Sequence, residues 1–293
     1  MKIKKKILFI INPISGRHLQ KTRVKSLQKL LDPSKFDISV VYTEFSGHAS
    51  QLAQNAVTNQ TDIVVAVGGD GTINEIASQL VHTNSALAIV PCGSGNGLAR
   101  DLKISLRINR AVRQINTLNI RQIDVGVCNN QYFFSLTGVG FDAKVANSFN
   151  RGKNRKFWGY VCAILKEYFS STEQCFEIVC DEDHLLDSFF FVTISNCSQW
   201  GYGVKVAPNA KIDDGIFHIA LCKKPPIFSI IPFVIRILSG KINRSKYIAN
   251  KTARKIILSA KSGFHYHFDG DFKGVLPQIE VDILHKALNI VAK

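Results

Sequence analysis

The sequence predicts an α/β N-terminal domain built on a parallel sheet, followed by a C-terminal antiparallel β-sandwich domain. Three observations carry that prediction. Very apolar segments alternate with helical spacing as far as about residue 121. From residue 124 onward, short β-rich runs separated by turn residues take over. The 293 residues, 46% of them hydrophobic, are enough for two cores.

The first part is read element by element. Residues 6–11 form a strand that Asn12-Pro13 stops, and residues 19–31 have helical spacing. Residues 36–42 are a strand, 49–57 a helix and 62–67 a third, wholly apolar strand. A helix runs from about 74 to 80, and 86–90 is a fourth strand. Near-continuous apolar strands in a βαβα rhythm imply a parallel sheet covered on both faces. The second part offers strands at 124–127, 132–139, 174–180, 188–195, 215–221, 255–259 and 278–283, interrupted by one helical segment at 156–169. The expected domains are residues 1–123 and 124–283, with the tail at about 284–293 free to return to the first.

Thirty-seven Lys+Arg against 22 Asp+Glu give a formal charge of +15, which suits a polyanionic partner without naming one. Seven cysteines, with no Cys-x-x-Cys pair, argue against a disulfide framework and a zinc site. They fit a reducing cytoplasmic setting. No apolar run reaches the ~18 residues of a membrane-spanning helix. Nothing here matches a nucleic-acid-binding motif.

The chemistry concentrates in glycine-rich turns at strand ends. Residues 64–67 lead into Gly68-Gly69-Asp70-Gly71-Thr72-Ile73-Asn74-Glu75, and residues 88–90 into Pro91-Cys92-Gly93-Ser94-Gly95-Asn96-Gly97. Asn12-Pro13-Ile14-Ser15-Gly16 ends the first strand. Glycines expose main-chain amides to a phosphate, and helix N-termini favour anions. Three such turns at C-terminal strand edges would converge on one crevice. Neither a Walker A sequence nor a dinucleotide fingerprint is present. Asp70 is the one carboxylate inside the first two turns before the helix. It could hold Mg²⁺, accept a hydroxyl proton, or cap the following helix.

These residues resemble the diacylglycerol kinase catalytic domain family, which includes bacterial lipid kinases and sphingosine kinases. Asn12-Pro13-x-Ser15-Gly16, Gly68-Gly69-Asp70-Gly71-Thr72 and Pro91-x-Gly93-Ser94-x-Asn96-x-x-Ala99-Arg100 carry the likeness. Gly140-Phe141-Asp142-Ala143, Pro208-x-Ala210-x-x-Asp213-Asp214-Gly215 and Asp269-Gly270-Asp271 extend it in order. The resemblance implies an N-terminal fold like that of NAD kinases and phosphofructokinases, and ATP and Mg²⁺ as cofactors. It implies ATP contacts at Asn12, Pro13, Ile14, Ser15, Gly16, Thr43, Gly69, Asp70, Gly71, Thr72, Ile73, Asn74, Glu75 and Ser94. Ser94 stands where the family usually has Thr. It further implies a bracing magnesium site from the Asp214 carboxylate and the backbone oxygens of Lys211 and Ile216. Asp271, where the family usually has Glu, takes the role of general base, with Asp269 as its rival, and Asp70 is the second catalytic carboxylate.

A lipid acceptor requires a membrane. Residues 225–238 are strongly apolar, broken by Pro232 and Arg236, and flanked by Lys223, Lys224, Lys241, Arg244 and Lys246. They read either as an interfacial segment on an anionic membrane or as a core helix. Residues 151–156 are a second basic stretch, read as a charged loop. His265 and His267 share one face of a strand, read as an exposed face near the acceptor site. The expected activity is that of an ATP- and magnesium-dependent lipid kinase at the cytoplasmic membrane surface. An NAD kinase-like small-molecule kinase and a non-catalytic nucleotide sensor are the alternatives. Oligomeric state is left open, a homodimer included.

Overall fold

The computed structural model describes residues 4–15, 27–152, 157–201 and 204–293. The chain divides into two compact units: residues 1–123 with 286–293, and residues 124–285.

In the first unit, β1 (Lys5–Ile11), β2 (Phe36–Tyr42), α1 (His48–Thr58), β3 (Ile63–Gly68), α2 (Asp70–Leu80) and β4 (Ala86–Pro91) alternate in the expected manner. Two short helices follow, α3 (Gly97–Asp101) and α4 (Ile108–Ile115). The parallel sheet has the order β2-β1-β3-β4, and Ile290 adds a fifth parallel partner against Leu87. Every residue of β3 and β4 is buried, because both faces are covered. Ile76, Ala77 and Leu80 of α2 point into this core. The helix expected over 19–31 lies largely outside the described residues.

Strand β5 (Ile120–Cys128) carries the chain from the first unit into the second. There follow β6 (Gln131–Phe133), β7 (Leu136–Gly140), α5 (Phe141–Arg151), α6 (Phe157–Ser170), β8 (Gln174–Cys180), β9 (Asp183–Phe189) and β10 (Phe191–Ser195). After them come β11 (Gln199–Gly201), β12 (Val204–Lys205), β13 (Phe217–Cys222), α7 (Ile230–Leu238), β14 (Ile248–Ala253), β15 (Lys255–Phe268) and β16 (Asp271–Val291). The antiparallel path is β14-β13-β10-β7-β15-β16, with β8 on β15 and β9 on β8. The first half of β15 pairs with β8 and its last residues pair with β7, so one strand serves both layers. Phe133, Phe176, Phe217, Ile256 and Phe264 lie in the core that results. The alternate residues Leu136, Phe191, Ala220 and Cys222 face the other way, where Tyr168 of α6 and Phe233 of α7 cover them.

Two expected strands are each split. The run at 132–139 breaks at Phe134-Ser135, whose amides turn to a side chain rather than to a neighbouring strand. The run at 188–195 breaks at Phe190, where β9 ends and β10 begins. Helices α5 and α7 join α6, so the sandwich carries more than the single expected helix.

Candidate functional site

The three turns of the first unit are locked to one another. Asn12 ends β1, and its Nδ2 donates to Thr72 Oγ1 at 3.0 Å, while its Oδ1 accepts the Ile14 amide at 3.1 Å. Thr72, buried in the first turn of α2, is thus a tie to the β1 turn. Glu75, one turn later, accepts the Gly47 amide at 3.1 Å and fixes the entry of α1.

Asp70 joins the β3 and β4 turns. The helix cap of α2 is Gly69, and Asp70 is the first helical residue. Its carboxylate reaches another helix. It accepts the Asn96 amide at 2.9 Å and the Gly97 amide at 3.0 Å, serving the N-terminus of α3. Asn96, with φ 51°, folds the β4 turn back on itself: Oδ1 accepts the Gly93 amide and Nδ2 donates to the Gly93 carbonyl. A Cβ at Gly93 would lie 2.7 Å from Gly69 Cα. Two backbones this close exclude any side chain at residue 93, which is the physical reason for glycine there. Arg100 Nε donates to the Gly95 carbonyl at 3.0 Å and completes the brace.

The remaining expected nucleotide contacts differ in what they offer. Pro13, Ile14, Gly71 and Ser94 are exposed, and Gly69 and Asn74 are partly so. Thr43 is buried, with its amide on the Ile11 carbonyl. Ile73 is 2% exposed, so its side chain belongs to the core and only its main chain could meet a ligand. Gly16 lies outside the described residues.

In the second unit, Asp269-Gly270 forms the hairpin between β15 and β16, with positive φ at both residues (49° and 84°). The two carboxylates beside Gly270 have different environments. Asp269 accepts the amides of Phe134, Ser135 and Leu136 at 3.0, 2.7 and 3.1 Å. It is occupied in anchoring the hairpin. The side chain of Asp271 is 69% exposed and accepts a hydrogen bond from Lys273 Nζ at 2.8 Å. Of the two, Asp271 has the access a base needs. Asn150 Nδ2 donates to the Gly270 carbonyl, a further anchor. His267 is 2% exposed, contrary to its expected exposed face, because Gly138 of β7 and Asp142 of α5 pack directly on its ring.

The turn at 211–216 is organised around Asp124, which sequence reasoning treated only as a strand start. Fully buried, Asp124 accepts the Gly215 amide at 2.7 Å, lies 2.8 Å from His285 Nδ1, and gives its own amide to the Ile212 carbonyl. Asp214 Oδ1 accepts the Ile216 amide at 3.3 Å, and Oδ2 is 3.7 Å from His218 Nε2. Among the described residues no group of three or more His, Cys, Asp or Glu side chains forms a metal cluster. One carboxylate plus the Lys211 and Ile216 carbonyls is still a hard-oxygen set, the chemistry Mg²⁺ accepts when waters complete its shell.

The apolar stretch at 225–238 divides between its two expected fates. Phe233 packs in the core beside Tyr247, while Ile227, Phe228, Ile231 and Ile235 are 54, 93, 72 and 59% exposed. Lys223 bonds Asp187, and Lys224 bonds the Ser171 carbonyl and lies over the Tyr168 ring. These two lysines serve packing. Residues 153–156 of the second basic stretch lie outside the described residues. No helix among the described residues is long and apolar enough to cross a membrane.

Sequence comparison places this fold and its turns in a known family. The diacylglycerol kinase catalytic domain matches residues 6–128, and the YegS C-terminal NAD kinase β-sandwich-like domain matches residues 135–292. The chain belongs to the diacylglycerol kinase catalytic domain family. A diacylglycerol kinase of Bacillus subtilis (strain 168) is 27% identical over 98% of this chain and 96% of its own length. One from Staphylococcus saprophyticus is 25% identical over 94% and 92%. A crystal structure of a diacylglycerol kinase from Bacillus anthracis superposes with a TM-score of 0.77 at 21% identity, covering 100% of this chain and 98% of that one. A second from the same organism reaches 0.82 at 23%, covering 100% and 97%. At such identity the two structures establish the fold.

Proposed function

We propose that the chain is an ATP- and magnesium-dependent kinase that phosphorylates the hydroxyl of a diacylglycerol- or sphingoid-type lipid at a membrane surface. The observation that carries this reading is the Asp70 clasp, which holds two glycine turns back to back at the C-terminal ends of β3 and β4. Phosphoryl transfer asks a protein mainly to position phosphates and neutralise their charge. Rigid, exposed main-chain turns do the first, and magnesium supplies the second when bound. Asp70 keeps the turns in register. Asp271 takes the proton of the lipid hydroxyl. The family's relatives bear the name diacylglycerol kinase, which favours the lipid acceptor.

The exposed Ile227, Phe228, Ile231 and Ile235 supply a surface that a bilayer interface would cover. The +15 charge favours an anionic leaflet, so the protein works as a peripheral protein on the cytoplasmic face. Incubation with labelled ATP, Mg²⁺ and separated lipid classes tests the reading. Label in diacylglycerol or a sphingoid base supports it. Label in NADP and in no lipid refutes it.

A further inference from the structure

The Gly140-Phe141-Asp142-Ala143 motif has no part in the chemistry above, yet it buries a carboxylate. Asp142, near the start of α5, is 6% exposed, and a buried carboxylate needs partners. Thr193 of β10 donates its hydroxyl to Oδ2 at 2.9 Å. His267 of β15 sets Nε2 at 3.2 Å from the same oxygen. The β7 backbone presses on both: a Cβ at Gly138 would lie 2.2 Å from Asp142 Oδ2 and 2.5 Å from His267 Nε2. The pair is enclosed by protein.

The other ring nitrogen of His267 points to the hairpin. The Gly270 amide donates to Nδ1 at 3.2 Å. A nitrogen that accepts an N–H bond carries a lone pair, so the ring proton is assigned to Nε2, on the Asp142 side. The Thr137 hydroxyl donates to the His267 carbonyl at 2.9 Å and pins the strand itself. His267 therefore bonds the amide of the residue before Asp271, and its other nitrogen packs against the buried Asp142 carboxylate without a well-aligned hydrogen bond.

We infer that His267 is a positioning residue for Asp271, with Asp142 packed behind it: Nδ1 holds the Gly270 amide, which keeps the ring proton on Nε2 toward the buried carboxylate, so that Asp271 is presented in one orientation. This rests on the assignment of Asp271 as base. An orienting partner that fixes a histidine tautomer is a recurrent means of holding catalytic geometry. A small displacement of a reacting group costs large factors in rate.

Two measurements on the full chain test it. Imidazole ¹⁵N NMR should find His267 with its proton on Nε2 and an unprotonated Nδ1; a proton on Nδ1 overturns the inference. The second compares His267→Asn, whose short amide can still accept the Gly270 N–H, with His267→Gln, whose longer one reaches Asp142 instead. His267→Asn should keep kcat within about threefold, and His267→Gln should lose about tenfold or more, with KM for ATP and lipid unchanged in both. Thr193→Val, which leaves both histidine contacts in place, should lose less than His267→Gln. Equal losses in the two histidine variants, or losses carried by KM, overturn the positioning role. Failure of the wild-type chain to phosphorylate any lipid instead overturns the proposed function, and the NMR result then stands alone.

Discussion

The carboxylate of Asp70 holds the amide of Asn96 at 2.9 Å, and through it the β3 turn is fastened to the β4 turn. A residue that reads as catalytic in sequence is therefore also a structural clasp. Asp70→Asn retains size but turns one acceptor oxygen into a donor facing an amide. An unsatisfied pair of this kind costs about 1–3 kcal/mol. Both the melting temperature and ATP affinity should fall. Loss of turnover with unchanged melting temperature would assign Asp70 to chemistry alone.

Asp269 and Asp271 should separate cleanly. Asp269→Asn weakens three amide contacts that join β15 to the β6–β7 segment, so stability should drop by about 2 kcal/mol or more in denaturant titration. Asp271→Asn touches only an exposed bond to Lys273 and should leave the melting temperature within a degree or two. Its kcat should fall at least about a hundredfold, the usual span of a general base. Full turnover by Asp271→Asn would remove it from the mechanism.

The apolar ridge at residues 227–235 makes a surface prediction. Phe228 and Ile231 are 93 and 72% exposed, so changing both to Ser should not unfold the protein. Removing two side chains that could enter a bilayer interface should weaken binding to anionic vesicles by about tenfold or more. Co-sedimentation equal to wild type would leave the ridge without a membrane role.

Acid should destabilise the sandwich through His265. Burial, with Lys144 adding to it and Glu167 opposing, holds its pKa below the ordinary 6.5. A folded pKa below the unfolded one means the contribution is present above about pH 6.5 and is lost as pH falls through the folded value. The melting temperature of wild type should drop between pH 7.5 and pH 5, and His265→Gln should drop less. Identical slopes would exclude His265 as the cause.

Thiol reactivity should divide the cysteines by burial. Cys128 is pushed up to about 12, and Cys222 well above the ordinary thiol value, both chiefly by desolvation. Cys162 and Cys175 are exposed. Alkylation at pH 8 followed by mass spectrometry should label the exposed pair and spare Cys128 and Cys222 until denaturant is added.

How much of this was legible in the sequence varies with the distance of the contacts. The strands at 62–67 and 86–90 are apolar at every position, and the structure buries all of them. The glycines of both turns were visible for the same local reason. The break at Phe134-Ser135 was hidden, because its cause is a carboxylate 134 residues away. Asp124 was equally hidden: its burial follows from Gly215 and His285, which no local pattern joins to it. His267 looked exposed because alternation gives a face but not which neighbour covers it. Helix α7 was ambiguous since its sequence supports both a packed side, at Phe233, and an open one, at Ile231.

The pairing of Ile290 with Leu87 has a consequence for synthesis. The N-terminal unit incorporates residues 286–293, so it cannot be completed while the ribosome is still making the sandwich. Until then the β4 edge stays open beside Leu87. A nascent chain in this interval presents a fully apolar strand with one unpaired side, the form in which it is most vulnerable to association with other chains and to proteolysis.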